Sequence, residues 1–328
     1  MQPTVRILMA TYNGERFLRE QLDSILRQSY ENWTLFVQDD GSVDATWDIL
    51  EEYAKRDGRI TLQRSPECIH GAYPNFHSIS NQHRRMQAYD YYMYADQDDI
   101  WDADKIEALV AFAEAQKAAG PLLCYSDMRV IDGEGKQTAK SIVQLQGVAF
   151  VNTPSLFLSH IIYGCSTLMN HDALMAVPEI DLNGPCIMTL SHDNFHGKYA
   201  ALLGTLAFCP RKLMSYRRHG QNVTARQKYG YKPVRVLQRM LDLEQLSKDH
   251  TIVYNQSLVT IALMRRKTPL EPEQVRMLDE IENMIRKGGF TALRGIVRYR
   301  ISWGNPVKNI SRSLVLLLGN YRKYLWQE

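Results

Sequence analysis

Along the first 125 residues, apolar positions alternate between short continuous runs and stretches with helical spacing. Val5–Ala10 reads as a buried strand, and Arg16–Arg27 follows as a helix with Phe17, Leu18, Leu22, Ile25 and Leu26 on one face. Trp33–Gln38, Ile60–Arg64, Tyr91–Ala95 and Leu122–Tyr125 continue the strand series, while Thr46–Arg56 and Lys105–Ala119 carry helical periods. This alternation predicts an α/β fold with a doubly wound, mostly parallel sheet and right-handed crossovers. Ligands of such sheets bind beyond the C-terminal strand ends, so the residues just after each run are where chemistry is expected.

Past residue 126 the rhythm changes. Asp132-Gly133 within Met128–Thr138 predicts a hairpin, and irregular sequence then runs to about 160. Ile161–Met169 is another apolar run, followed by a helix near Asp193–Leu203 and extended segments at Thr205–Cys209 and Lys212–Tyr216. From about residue 230 the pattern is helical, over Val234–Leu246, Ile252–Arg265, Pro272–Arg286 and two final segments. Two regions are expected, 1–225 and a helical C-terminal region, 226–328.

Charge sharpens that division. Residues 1–210 hold 16 basic against 27 acidic side chains, and residues 211–328 hold 23 against 9, behind a net charge of only +3. An acidic first region suits a cation, and a basic second one suits an anionic surface. No window approaches 18 consecutive apolar residues, so no spanning helix is predicted, and the N-terminus reads as a first strand rather than a secretion signal. Five cysteines without CxxC spacing argue against a disulfide framework or a zinc site and predict a cytoplasmic setting.

Three loops after strands carry the polar signal. The first is Ala10-Thr11-Tyr12-Asn13-Gly14, and the second runs Asp39-Asp40-Gly41-Ser42-Val43-Asp44-Ala45-Thr46. Capping of the next helix by Asn13 or Asp44 accounts for one polar residue per loop. It leaves the adjacent carboxylates unexplained; such a carboxylate can accept from a pyrimidine ring N–H, and a Tyr ring offers a stacking surface. Neither loop is a P-loop or GxGxxG. The third loop is Ala95-Asp96-Gln97-Asp98-Asp99-Ile100-Trp101. Three carboxylates in four residues repel unless they share a cation, and hard ions such as Mg2+ or Mn2+ take oxygen ligands completed by phosphates.

ATYNG, DDGSxDxT and ADQDDxW, in that order at strand ends, resemble family-2 nucleotide-sugar glycosyltransferases of the GT-A fold, and within them the rhamnosyltransferase-like branch. The resemblance covers roughly residues 4–225. It implies that Thr11, Tyr12, Asn13 and Asp40 surround the nucleotide, that Asp98 ligates a divalent metal, Mg2+ or Mn2+, and that Asp96 contacts ribose or a metal-bound water. Gly71 and Asn75, in Gly71-Ala72-Tyr73-Pro74-Asn75-Phe76, resemble the loop leading to the donor pocket. Ser191-His192-Asp193-Asn194-Phe195 fits the family's His-Asp signature, with Asp193 as general base and His192 on the acceptor side. The other reading of Asp193 is a helix N-cap. Where the family places an aromatic residue straight after this pair, the chain has Asn194 and then Phe195. Tyr216-Arg217-Arg218-His219-Gly220-Gln221-Asn222 is similar to YRxHxxN, which implies His219 as second metal ligand and arginines on phosphate. Trp101 is expected to stack an acceptor sugar.

The resemblance therefore implies an inverting transfer, such a displacement needing one base and no acid partner when a metal neutralises the diphosphate. The expected donor is dTDP-rhamnose and the acceptor a cell-surface polysaccharide or lipid-linked saccharide. Rivals are a UDP-hexose donor and a non-catalytic sugar-nucleotide or glycan-binding module. In the tail, Ile310, Leu314, Leu317, Leu318, Tyr321 and Leu325 form one stripe, and Arg294, Arg298 and Arg300 interrupt Leu293, Ile296, Val297 and Ile301. The stripe either packs as core or lies on an anionic membrane surface at the inner face. Nucleic acid is not an expected partner, because no recognition motif accompanies the basic residues.

Overall fold

β1 (Val5–Thr11) is buried along nearly all its length, as a run of Val, Ile, Leu and Met requires when both faces are covered. It lies between β2 (Trp33–Asp39) and β4 (Tyr91–Ala95), parallel to both, and β3 (Ile60–Arg64) extends the parallel set beyond β2. Thr11 is level with Asp39, and Met9 with Ala95. The polar residues that follow β1, β2 and β4 therefore emerge together at one edge of the sheet. The structure is a computed structural model that describes residues 2–66, 70–147, 149–150, 152–184, 187–220 and 243–327.

Beyond β4 the nine-stranded sheet is mixed. β8 (Thr167–Asn170) runs antiparallel to β4 and to β6 (Leu122–Ile131), β7 (Gln137–Ala139) folds back on β6 as the hairpin, and β5 (Ile100–Trp101) pairs antiparallel with β9 (Thr205–Arg217). The expected parallel arrangement thus covers β3, β2, β1 and β4 and the β6–β9 pair. The antiparallel additions are two to four residues long, too short to show a hydrophobic period. β9 joins the two predicted extended segments into one strand. Its register with β6 slips between Ser126↔Cys209 and Asp127↔Lys212, which leaves Pro210, without an N–H to give, outside the ladder.

Helices α1 (Leu18–Leu26), α2 (Thr46–Arg56), α4 (Lys105–Ala115) and α8 (His192–Leu203) lie where the periodicity predicts them. The prediction runs α4 on to Ala119, but Lys117 takes φ 49°, a left-handed conformation that ends the helix. α3 (Ala72–His83) was not predicted from its apolar pattern. Its buried residues include Asn75, His77, Ser78, Ser80 and His83 beside Phe76 and Ile79, so the face it buries is largely polar. α7 (His171–Ala176) follows β8.

The chain divides into two compact units, Met1–Ile142 with Ile162–Gln227, and Val143–Ile161 with Lys228–Glu328. The stretch that reads as irregular in the sequence, ahead of Ile161, therefore belongs with the C-terminal helices. After the short α5 (Ile142–Gln146), α6 (Thr153–Phe157) buries Leu156 and Phe157 in the second unit, with Ser257 Oγ donating to Phe157 O and Trp303 Nε1 to Leu158 O. The unit's other described helices are α9 (Leu243–Lys267), α10 (Pro272–Lys287), α11 (Gly289–Arg298) and α12 (Pro306–Leu318). Most of the predicted Val234–Leu246 segment, like the 225/226 boundary and Asn222, lies outside the described residues. Among the described residues no helix is long and apolar enough to cross a membrane.

Candidate active site

The loops after β1 and β2 are stitched to each other. Asn13 Oδ1 accepts from Val43 N at 2.9 Å and Asn13 N donates to Ser42 Oγ at 2.8 Å; Gly14 N donates to Thr46 Oγ1 at 2.7 Å, and Glu15 Oε2 accepts from Ala45 N at 2.9 Å. The motif polarity is thus largely loop-to-loop bonding, with Asp44 Oδ1 taking Thr46 N at the start of α2. The two adjacent carboxylates divide their work. Asp39 accepts from Thr11 Oγ1, Ser42 N and Ser42 Oγ, holding the Gly-Ser turn. Asp40 accepts from Gly71 N at 2.8 Å and meets His70 Nδ1 at 3.0 Å, tying this loop to the start of α3. Tyr12 is half exposed, and its backbone is clamped by the Gln97 amide at 2.8 and 2.9 Å. A Cβ on Gly14 would overlap that amide, so a side chain there would displace the Gln97 clamp.

β5 decides what the acidic loop faces. Its pairing of Ile100 with Ser215 and Trp101 with Met214 brings Asp96–Asp99 beside the end of β9. His219 Nε2 lies 2.7 Å from Asp98 Oδ2. Arg217 is 2% exposed, donates from Nε to Asp98 O at 2.8 Å and from its backbone N to Asp99 Oδ1 at 2.9 Å, pairs with Glu20 and covers the Phe17 ring. Its expected contact with phosphate is corrected accordingly: this guanidinium braces the acidic loop. Desolvation, then the Asp98 charge and more weakly Asp193, raises the carboxyl of Asp96 to about 7. Asp99 is raised well above the usual range by desolvation and by both neighbouring carboxylates. Behind them, burial lowers Lys105 to about 7 while nearby carboxylates oppose the shift; its Nζ donates to Cys165 O and lies 3.6 Å from the Trp101 ring centroid.

Burial corrects three expectations. Trp101 is 3% exposed and covered by an ammonium group, so it has no open face for a sugar. Asn75 faces inward from α3, with Oδ1 accepting from Gln38 Nε2 at 2.8 Å and Nδ2 donating to Gln38 O at 3.2 Å, so its amide serves packing between α3 and β2. His192 is also buried, stacked on Phe76 at 4.0 Å and edge-on to Tyr94, so its ring meets aromatic neighbours and not solvent.

Asp193 occupies the first turn of α8, but the N-cap is Ser191, whose side chain accepts from Asn194 N. Asp193 Oδ1 accepts from Asn194 N at 2.6 Å, from Asn194 Nδ2 at 2.9 Å and from Ser191 Oγ. Oδ2 accepts from Gly164 N at 3.0 Å. These donors fix the orientation of the carboxylate at the first turn of α8. Gly164 can approach only because it lacks a side chain, since a Cβ there would overlap the His192 ring.

Paired polar loops at the strand ends, an acidic loop with an imidazole and an oriented carboxylate coincide in one fold, and the family model described as glycosyl transferase family 2 matches residues 6–176, more than half the chain. The chain belongs to this family. It is a glycosyltransferase of GT-A architecture. Among relatives, dTDP-rhamnosyl transferase RfbG of Shigella flexneri is 29% identical over 67% of this chain and 76% of its own. The Escherichia coli enzyme WfaP, named as a UDP-Glc:alpha-D-GlcNAc-diphosphoundecaprenol beta-1,3-glucosyltransferase, is 30% identical over 34% of this chain and 42% of its own. In structure, the S. aureus TarS fragment 1–349 crystallised with UDP-GlcNAc superposes with TM-score 0.55 at 13% identity, over 99% of this chain and 93% of that one, a likeness of fold.

The family implies a divalent cation, and the donor set fits one. Asp98 and His219 converge, with Asp96 on the same loop: carboxylate oxygens suit Mn2+ or Mg2+, and the imidazole favours a transition ion such as Mn2+ over Mg2+. A second trio, Asp96, Asp99 and Cys165, has ligand atoms within 4.8 Å of one another. It fits poorly, because burial pushes the Cys165 thiol well up and keeps it protonated, and Asp99 is engaged by Arg217. Sequence reading assigned no role to Gln97, His70, Ser191 or Lys105. Gln97 and Ser191 stood inside quoted motifs; His70 and Lys105 carried no local signal.

Proposed function

We propose that this family-2 enzyme transfers a sugar with inversion from a nucleotide-sugar, most specifically L-rhamnose from dTDP-rhamnose, to a cell-surface polysaccharide or lipid-linked saccharide at the membrane surface. The observation that carries the proposal is Asp193: one carboxylate, fixed by Ser191, Asn194 and Gly164, close enough to Asp96 to raise its pKa. In this reading Asp193 Oδ2 takes the proton of the acceptor hydroxyl as that oxygen attacks the anomeric carbon. Tyr12 stacks on the base, while Asp39, Asp40 and Gln97 hold the loops that form the nucleotide side. Asp98 and His219, with Asp96 beside them, would hold a divalent metal that offsets the charge of the leaving diphosphate.

The rhamnose assignment draws on the name of the Shigella flexneri relative, and the name of the Escherichia coli relative makes a UDP-hexose the competing donor. Thermal unfolding with a panel of nucleotide-sugars, in Mn2+ and in Mg2+, separates them, because a ligand that binds the native state raises apparent stability. dTDP-rhamnose is expected to give the largest shift. A larger shift with UDP-glucose would move the assignment to that donor, and no shift with any of them would favour a glycan-binding module.

A further inference from the structure

We propose that the outward faces of α11 and α12 dock this protein onto an anionic lipid surface. On α11, Phe290 is 85% exposed and Val297 78%, and a spacing of seven places them on one face, with exposed Arg294 between them. The buried positions of α11 are Ala292 and Gly295, and the Gly295 side packs so closely on Met284 that a Cβ would overlap it. The helix turns its small residues inward, leaves Leu293 and Ile296 half-buried and sets Phe290 and Val297 outward. α12, which packs on α11, buries Val315 and Leu316 yet also leaves Val307, Ile310, Leu317 and Leu318 exposed.

The predicted C-terminal stripe therefore divides. Tyr321 is core, its hydroxyl donating to Ile285 O at 2.6 Å, whereas Ile310, Leu317 and Leu318 face solvent. Apolar exposure of this extent marks a surface that is covered in use. Charge identifies what covers it. Residues 286–328 carry nine basic side chains and only Glu328 within the stretch. Arg286, Arg298 and Lys323 pair with Glu282, Glu280 and Glu244 from outside it, which leaves the stretch with a basic excess. A second copy using the same face would set Arg294 against like charge, and a protein interface core is depleted in charged residues. A bilayer accepts both features, apolar side chains entering the acyl boundary while arginines meet anionic headgroups.

Point variants test this on the full chain, because truncation would remove Trp303, Leu316 and Tyr321 from the core. Co-sedimentation is measured with phosphatidylcholine vesicles, with and without phosphatidylglycerol. The wild type is expected to bind the phosphatidylglycerol vesicles and to release as salt rises. Phe290→Ser with Val297→Ser should weaken that binding by about tenfold or more at an unchanged melting temperature. Arg294→Gln should weaken binding to the anionic vesicles alone. Binding needs no donor or acceptor, so its loss is separate from any failure of the transfer assignment. The proposal is overturned if the wild type ignores anionic vesicles, if the double variant binds as the wild type does, or if light scattering shows a dimer that Phe290→Ser dissociates.

Discussion

In the sheet unit, Asp99, Lys105, Lys198 and Arg217 are at most 2% exposed, whereas the helical unit leaves Phe290, Val297 and Ile310 62% or more exposed. Both depart from the ordinary sorting of side chains, in opposite directions. Buried charges are costly and persist only where partners hold them. Here the partners are strand-end backbone and other charges: Arg217 holds the acidic loop, and Lys105 holds the Cys165 carbonyl. In the helical unit the ion pairs are more exposed and local, such as Arg265 with Asp279 and Arg298 with Glu280, and the unusual groups are apolar. Gripping a small charged ligand calls for preorganised charge, while resting on an extended surface calls for outward apolar area.

The comparison breaks first at Asp193. Asp193→Asn should lower turnover by about 10²–10⁴-fold with donor affinity retained, measured as kcat against donor Kd. Near-normal turnover would make Asp193 a structural acid like Asp99. Asp98→Ala or His219→Ala should cost at least about 10–100-fold in metal-dependent binding of the nucleoside diphosphate, the loss of an outer-shell partner alone being of that size, with binding of the nucleoside unchanged by calorimetry. Equal losses for both ligands would show that the acidic loop shapes the pocket and does not hold a cation.

The burial of ionisable groups in the sheet unit has its own signature in pH. Burial, against a hydrogen bond to Leu190 O, depresses His77 to about 4, while in the unfolded chain it titrates near 6.5. Only the unfolded chain then takes up this proton between pH 6.5 and 4. The contribution of neutral His77 is full above 6.5 and is lost as pH falls toward 4, by about 2 kcal/mol at pH 5. Denaturant unfolding of the wild type and His77→Gln at pH 8 and pH 5 isolates it, since the raised Asp96, which pulls the other way, cancels in the difference. The smallest effect belongs to the helical unit: Phe290→Ser should alter unfolding free energy by less than about 0.5 kcal/mol. A larger loss would make Phe290 part of a packed interior.

Local pattern carried much of the sheet unit. α2, β3 and β4 begin and end where periodicity puts them, because a strand covered on both faces and a one-faced helix write their periods directly into the chain. The three strand-end motifs were legible for the same reason, each being contiguous and placed by its strand. α3 escaped because its buried face is mostly polar, and the exposure of Phe290 was hidden because a hydrophobic stripe looks alike whether it faces a core or a solvent-side surface. Tertiary structure alone decided which motif residues meet. Asp98 and His219 lie 121 positions apart, and Arg217 reaches Asp98 across 119, through the two-residue pairing of β5 with β9. The inward turns of Trp101, Asn75 and Arg217 rest on the same kind of contact. Sequence determined the elements and the chemistry available at their ends, because both depend on neighbours in the chain; which side chains face a ligand and which brace the others depends on neighbours in space.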